Sequence, residues 1–389
     1  MAASSQPYAQ PEKPFAYKRV VVKAGTALLT RGTDHLDLEV MASLVGQVAR
    51  LHAAGLEVLL VSSGAVAAGR HSLGEQPARA LRTDRRDVPT RQVLAAIGQS
   101  KLLHAYEQLF AWHAIPVAQA LLTRGDITSR LGYLHIRNTL LSLLSLRAVP
   151  IINENDVVAV EELEGEVFGD NDTLSAMVAN IVDANLLVIL SDIGGLYTAD
   201  PHRDPGARLI PRVDRIDASL EALAGGPTGI GRGGMLTKLE AARLATASGV
   251  AAVIADGREP DVLPRLARGE ALGTLFPPTT SRLESRKRWM LGVISNGGAI
   301  LVDAGAVKAL REGKRSLLPS GVRQVQGRFE RGEVVPILGP DGQRVAAGIT
   351  NYSSTDLAQI QGHHSDQIPS LLGYHYGEEA VHRNNMVLL

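Results

Sequence analysis

Val20-Val21-Val22 runs directly into Lys23-Ala24-Gly25-Thr26. Three β-branched residues with no polar residue between them suit a strand covered on both faces. The lysine and glycine that follow make a turn in which backbone amides and an ammonium can meet an anion. The same pattern recurs downstream. Val58–Val61 precedes Ser62-Ser63-Gly64-Ala65, and Val149–Ile152 precedes Asn153-Glu154-Asn155-Asp156. Leu186–Leu190 precedes Ser191-Asp192 and then Gly194-Gly195-Leu196-Tyr197. Further apolar runs lie at Ile115–Val117 and Val250–Ile254, with helical periodicity over Gln92–Trp112 and Thr173–Val182. Strands alternating with helices predict an α/β layer with a largely parallel sheet. Ligands of such sheets bind beyond the carboxyl ends of the strands, so several polar clusters placed there point to a shared ligand.

Taken one at a time, each cluster has a plain structural explanation. Lys23 with Gly25 is also a tight turn with a surface lysine, and Ser-Gly or Asn-Asp is ordinary helix-capping chemistry. Capping accounts less well for two acid–amide clusters, Asn153 to Asp156 and Gly169-Asp170-Asn171-Asp172, flanking one predicted hairpin. A last cluster, Gly229 to Lys238, opens a helix expected to reach about Ser248. Gly229, Gly231 and Gly234 match G-x-G-x-x-G in form, but no strand precedes them and they lie late in the domain, so the dinucleotide reading fails. No G-x-x-x-x-G-K-[ST] exists, because Gly313-Lys314 is followed by Arg315. H-E-x-x-H and G-x-S-x-G are absent as well. What remains is two lysines, Lys23 and Lys238, each beside a glycine loop. That arrangement suits phosphoryl transfer, where catalysis is mostly positioning and cationic stabilisation of the moving group.

Composition narrows the rest. The 389 residues allow two domains, and 45% are apolar, enough for a core. Forty Lys and Arg balance forty Asp and Glu, which argues against a protein that coats nucleic acid or an anionic membrane. The absence of cysteine excludes disulfides, zinc ribbons and a thiol nucleophile. No apolar run approaches the ~20 residues of a membrane span, and residues 1–17 read as a flexible arm, so the expectation is a cytoplasmic globular protein. The texture changes near Pro277-Pro278. After the charged stretch Arg282–Arg288 come short segments between turn signals such as Gly339-Pro340-Asp341-Gly342, which predict a small, mostly-β domain. The expected division is therefore an arm at 1–17, an α/β domain at 18–278 and a β domain at 284–389. All the phosphate-handling motifs precede residue 240, so a chain ending near Pro278 is expected to keep its activity, unless the β domain covers apolar surface. Lys308–Arg331 carries seven basic and two acidic residues, a net of +5. It is read first as a solvated face and second as a contact for phosphates. His363-His364 is read as surface.

The segments Val21 to Thr26, Ser62 to Ala65, Ile152 to Asp156, Gly169 to Asp172, Gly195 to Pro201 and Gly233 to Lys238, in this order and spacing, resemble the glutamate 5-kinase family. That family has the amino-acid-kinase fold, a three-layer α/β sandwich on a mainly parallel sheet, followed by a PUA domain. The resemblance implies ATP-dependent phosphorylation of the side-chain carboxylate of L-glutamate to L-glutamate 5-phosphate, the first step of proline biosynthesis. It gives Lys23 and Lys238 the transferred phosphoryl, and Asp172 the task of holding them. Ser63, Asp156 and Asn171 correspond to glutamate-binding positions. Lys23, Gly25, Ser191, Asp192, Arg232, Gly233, Gly234, Met235, Leu236, Thr237 and Lys238 correspond to the ATP site. Arg232 stands where family members often carry Thr, and Leu236 where a small hydroxyl residue is common. Mg²⁺ accompanies ATP, with no protein metal ligand assigned. The resemblance further implies a homo-oligomer, proline feedback, a separate glutamyl phosphate reductase to receive the product, and RNA as a conceivable ligand of the PUA-like domain. Two rivals stand beside this reading. One is a kinase of the same fold acting on aspartate, acetylglutamate or a nucleotide. The other is an RNA-binding or regulatory protein on a spent kinase fold, against which stand both lysines and Asp172.

Overall fold

A computed structural model describes residues 14–74, 88–159, 171–201, 203–225, 234–292, 294, 297–313 and 315–389. The chain divides into two compact units. The first comprises the chain up to Thr123, Ser142–Thr246 and Val250–Pro278. It is built on a seven-stranded sheet of order β3-β4-β2-β1-β5-β6-β7. The strands are β1 (Arg19–Ala24), β2 (Glu57–Ser62), β3 (Val117–Leu122), β4 (Val149–Glu154), β5 (Leu186–Ser191), β6 (Ala251–Asp256) and β7 (Thr274–Phe276). All neighbours are parallel except β6 and β7. Strand order reverses at β1, which pairs with β2 on one side and β5 on the other. The carboxyl ends of these three strands therefore border the crevice where such sheets take ligands.

Alternation along the strands sorts side chains between two helical layers. Val20, Val22 and Ala24 of β1, with Val58 and Leu60 of β2, pack in one core with Met41, Val45 and Val48 of the Leu38–Ala53 helix and Tyr106 and Phe110 of the Val88–Ala111 helix. Val21, Leu59, Val61, Leu187 and Ile189 have the opposite parity and are equally buried. The sheet is thus covered on both faces, which is why its central strands read as unbroken apolar runs. Lys23 has the parity of Val21 and so leaves the sheet on the second face.

Two strands depart from the sequence reading. The run Ile115–Val117 is only the entrance to β3, which continues as Val-Ala-Gln-Ala-Leu-Leu. It is an edge strand, mostly half-buried, and so needs no continuous apolar run. β7 has three residues, too few to show a period. The charged stretch from Arg282 is a helix, Arg282–Gly292. Ser281 and Glu284 cap it reciprocally, each backbone N–H donating to the other's side-chain oxygen at 3.2 Å. The predicted hairpin before Asn171 lies outside the described residues, as does the start of the chain through residue 13.

The second unit comprises Arg124–Leu141, Ala247–Gly249 and Thr279–Leu389. Its five-stranded sheet has the order β12-β11-β10-β8-β9, with β8 at Gly298–Val302, β9 at Val322–Gly327, β10 at Val334–Leu338, β11 at Arg344–Ile349 and β12 at Met386–Leu388. One core of this unit gathers Leu134 with Met290, Val334, Ala347, Ile349 and Val387. Beside it Arg137, 2% exposed, donates to Asn385 Oδ1 at 2.8 Å and to the Asn384 carbonyl at 2.6 Å. A segment from the middle of the sequence is therefore part of the C-terminal unit. No helix among the described residues is long and apolar enough to cross a membrane.

Candidate active site

The second face of the sheet decides what Lys23 meets. The Asn171–Ile181 helix packs there, and Asp172 in its first turn is fully buried. Lys23 Nζ lies 2.6 Å from Asp172 Oδ1, and Lys238 Nζ lies 3.0 Å from Oδ2. Thr237 Oγ1 donates to the same Oδ2 at 3.0 Å. Burial pushes the Asp172 carboxyl up, but the charges and hydrogen bonds of Lys23 and Lys238 outweigh it and hold the group below the usual carboxylate range. The position in the first helical turn favours the anion further. Two ammonium groups on one carboxylate leave a net charge of +1 beside the strand ends.

Local backbone explains how both lysines arrive. Lys23 is the penultimate residue of β1, and Gly25 caps the short Thr26–Thr30 helix without a side chain. A Cβ at Gly25 would sit 3.3 Å from Lys23 Nζ, so glycine leaves the ammonium its place. Lys238 lies in the first turns of the Gly234–Ala247 helix, and its Nζ also donates to the Gly234 carbonyl at 2.9 Å. The Thr237 hydroxyl, which the resemblance puts on the ATP side, donates to Asp172. Met235 and Leu236 are half-buried at the start of the same helix. Arg232, Gly233 and the glycines before them lie outside the described residues, as do Gly169 and Asp170.

Beyond β2 and β4 lies a chain of polar side chains. Gly64, with φ +105°, begins the Ala65–Leu73 helix without a side-chain cap. The Ser63 hydroxyl is thus spared from capping and accepts from Asn171 Nδ2 at 2.8 Å. Asn171 Nδ2 also donates to Asn153 Oδ1 at 2.9 Å. Asn171 Oδ1 is buried and accepts no hydrogen bond among the described residues. Asp156 stands in the turn that follows β4. The structure thus joins Ser63 and Asn171 directly, while Asp156 shares their end of the sheet. At the end of β5, the buried Ser191 donates to the Asp192 carboxylate at 3.2 Å, and Asp192 is exposed.

Three participants escaped the sequence reading. Asn153 was visible inside a quoted cluster but was not singled out, and Gln99, within the Val88–Ala111 helix, carried no signal. Arg258 donates to the Asp192 carbonyl and, at 2.8 Å, to Asp256 Oδ2. Asp256-Gly257-Arg258 is one more polar, glycine-containing cluster after a strand, so the pattern that found the others could have found it. Gly195 serves the backbone of the turn after β5. Gly195 has φ +148°, and Leu196 N donates to Thr274 Oγ1 at 2.8 Å.

A buried carboxylate clamping two lysines at the switch point of a mainly parallel sheet concentrates positive charge where such sheets take their ligands. Residues 18–256 match the amino acid kinase family, and residues 298–372 match the PUA domain. The chain belongs to the amino acid kinase family. Within it, the chain resembles curated proteins named glutamate 5-kinase over nearly its whole length. That of Dehalococcoides mccartyi strain CBDB1 is 53% identical over 374 residues, covering 96% of this chain and 99% of its own. That of Herpetosiphon aurantiacus is 52% identical, covering 95% and 98%. That of Deinococcus radiodurans is 50% identical, covering 95% and 100%. A solved UMP kinase from Bacillus anthracis is 18% identical, with a TM-score of 0.47 over 68% of this chain and 97% of its own.

Proposed function

We infer that this protein transfers the γ-phosphoryl group of ATP to the side-chain carboxylate of L-glutamate, giving L-glutamate 5-phosphate and ADP, the first step of proline biosynthesis. The observation that carries this reading is the pair of ammonium groups, Lys23 and Lys238, 2.6 and 3.0 Å from the two oxygens of buried Asp172. A carboxylate with a solution pKa of about 4.3 is already ionised at neutral pH, so the substrate brings its own nucleophile and no general base is needed. One glutamate oxygen attacks the γ-phosphorus, and the bond from phosphorus to the bridging oxygen of ADP breaks. Negative charge spreads over the phosphoryl oxygens as they pass between the two reactants. Lys23 and Lys238 are placed to stabilise that charge, and Asp172 holds both lysines in position.

Around this centre Ser63, Asn171 and Asp156 are the glutamate side of the site. Asn171 Oδ1 is a buried acceptor that fits the substrate ammonium, and Asp156 adds a carboxylate for the same charge. Gly25, Ser191, Asp192 and the stretch Arg232 to Lys238 are the nucleotide side, with first-turn amides of the Gly234–Ala247 helix available to phosphate oxygens. Mg²⁺ enters with the co-substrate, carried on the ATP phosphates. An acyl phosphate is short-lived in water, so a separate glutamyl phosphate reductase, in the same cytoplasmic compartment, is the natural recipient. The test is ATP-dependent hydroxamate formation across amino acids. L-Glutamate should give the largest yield, and a larger yield from L-aspartate or N-acetyl-L-glutamate would overturn the assignment.

A further inference from the structure

The orientation of Asn171, on which the glutamate reading leans, is set by groups whose polarity is not in question. Asn153 Oδ1 accepts from the Glu154 backbone N–H at 2.9 Å, and a backbone N–H can only donate. The oxygen of the Asn153 amide is thereby fixed, and its nitrogen must face the other way. There Gln99 Oε1 accepts from Asn153 Nδ2 at 2.7 Å. Asn171 Nδ2 points towards the Ser62 carbonyl at 3.3 Å, a pure acceptor, as well as towards Ser63 Oγ and Asn153 Oδ1. With its nitrogen so committed, Asn171 must turn its oxygen away, and that oxygen is the buried acceptor without a partner among the described residues.

Gln99 reaches this chain because two helices touch backbone to backbone. A Cβ on Gly98 would sit 1.8 Å from the Ala65 carbonyl oxygen, and one on Gly69 would sit 1.9 Å from that of Leu94. This approach lays the middle of the Val88–Ala111 helix against the start of the Ala65–Leu73 helix, two residues beyond Ser63. Asn153 is itself 3% exposed, so its Nδ2 has little recourse to water if Gln99 is lost.

We propose that Gln99 is a positioning residue for glutamate, acting through Asn153 to hold the Asn171 amide with its oxygen towards the substrate ammonium. The proposal rests on the reading of Asn171 as a glutamate ligand. Removing the Gln99 acceptor leaves Asn153 Nδ2 buried without its acceptor, so the Asn153 amide, tethered through Oδ1 alone, can tilt and weaken one of the three contacts that orient Asn171. The loss falls on glutamate binding rather than on phosphoryl transfer, because Lys23, Lys238 and Asp172 are not in this chain of bonds.

Steady-state kinetics on the full chain test this with Gln99→Leu, Gln99→Glu and Asn171→Ala. Gln99→Leu should raise the KM for glutamate about 10-fold, on the scale of one buried hydrogen bond. The KM for ATP and kcat should stay within about 3-fold. Gln99→Glu keeps an acceptor for Asn153 Nδ2 and should return the glutamate KM to within about 3-fold of the parent. Asn171→Ala should raise the glutamate KM at least as far as Gln99→Leu, and the double variant should be little worse than Asn171→Ala alone. If Gln99→Leu folds poorly, Gln99→Met, close in length to glutamine, serves with the same expectations. Unchanged glutamate KM in Asn171→Ala would sink the ligand reading itself. A normal Gln99→Leu beside an impaired Asn171→Ala would overturn the positioning role alone. So would equal losses in kcat and both KM values, or a Gln99→Glu no better than Gln99→Leu.

Discussion

Asp172 is expensive to bury and stays charged only because two lysines and a threonine surround it. That makes it the residue on which the charge of the site depends. Asp172→Asn leaves two ammonium groups together without their anion, and should cost about 3–5 kcal/mol of stability at neutral pH. The pH dependence has a definite sign. A carboxyl held below its ordinary value in the folded chain contributes stability above its unfolded pKa and loses it as pH falls through the folded value. The gap between the parent and Asp172→Asn, followed by urea melts, should therefore be flat from about pH 8 to pH 5. It should begin to close only below the ordinary value of 3.8. A gap that closed between pH 7 and 5 would mean that Asp172 is not the ionised partner of both lysines. Lys238 has the complementary role. If it touches the phosphoryl in the transition state, Lys238→Ala should lower kcat at least ~100-fold while moving the KM values much less. Near-normal turnover would remove it from the mechanism.

At the scale of elements, strand register and helix contact deliver the chemistry. Lys23 meets Asp172 because it shares a face of β1 with Val21, and the Asn171–Ile181 helix covers that face. The Gly69 and Gly98 contact is the second device. Gly98→Ala drives a methyl into a backbone carbonyl that cannot yield as a side chain would, so a loss on the order of 3 kcal/mol is expected in denaturant melts. The same variant should raise the glutamate KM, since Gln99 is its neighbour. A variant with parental stability would show that the helices can part without cost. These two devices differ in how far the sequence revealed them. β1, β2, β4, β5 and β6 announce themselves as apolar runs because they are covered on both faces, and the residues just past them stand out as polar. The edge strand β3 and three-residue β7 have no such contrast. Gln99 is silent for another reason. One glutamine in a helix reads as surface until the contact of the adjacent Gly98 with the Ala65–Leu73 helix brings it beside Asn153.

The whole molecule is two compact units whose sequence segments interleave. Composition and turn signals mark the change of texture near Pro277-Pro278, but nothing local in Arg124–Leu141 shows that it belongs with Thr279–Leu389. Its allegiance is carried by Leu134, fully buried among Met290, Val334, Ala347, Ile349 and Val387, and by Arg137 on Asn384 and Asn385. A chain ending at Pro278 would strip those partners from Leu134 and Arg137 while keeping every residue assigned to catalysis. It should aggregate or melt well below the full chain on size-exclusion and thermal measurements. A soluble truncation with the parental melting temperature would show that this core contributes little. His363 and His364 are exposed at the surface of the second unit, as read from the sequence.

The central claim is that the substrate carboxylate is itself the nucleophile, with the protein supplying position and positive charge. Glutamate carrying ¹⁸O in both oxygens of its side-chain carboxylate tests this directly. With ATP and Mg²⁺ the transferred phosphoryl becomes bonded to one labelled oxygen. Hydroxylamine then attacks the acyl carbon, and that oxygen leaves with the phosphate. The account predicts that phosphorus NMR of the released phosphate shows one ¹⁸O per phosphate, formed in step with the hydroxamate, and that Lys238→Ala slows both together. Phosphate released without ¹⁸O from glutamate would mean that ATP is cleaved by water or by a protein group, and would contradict the account.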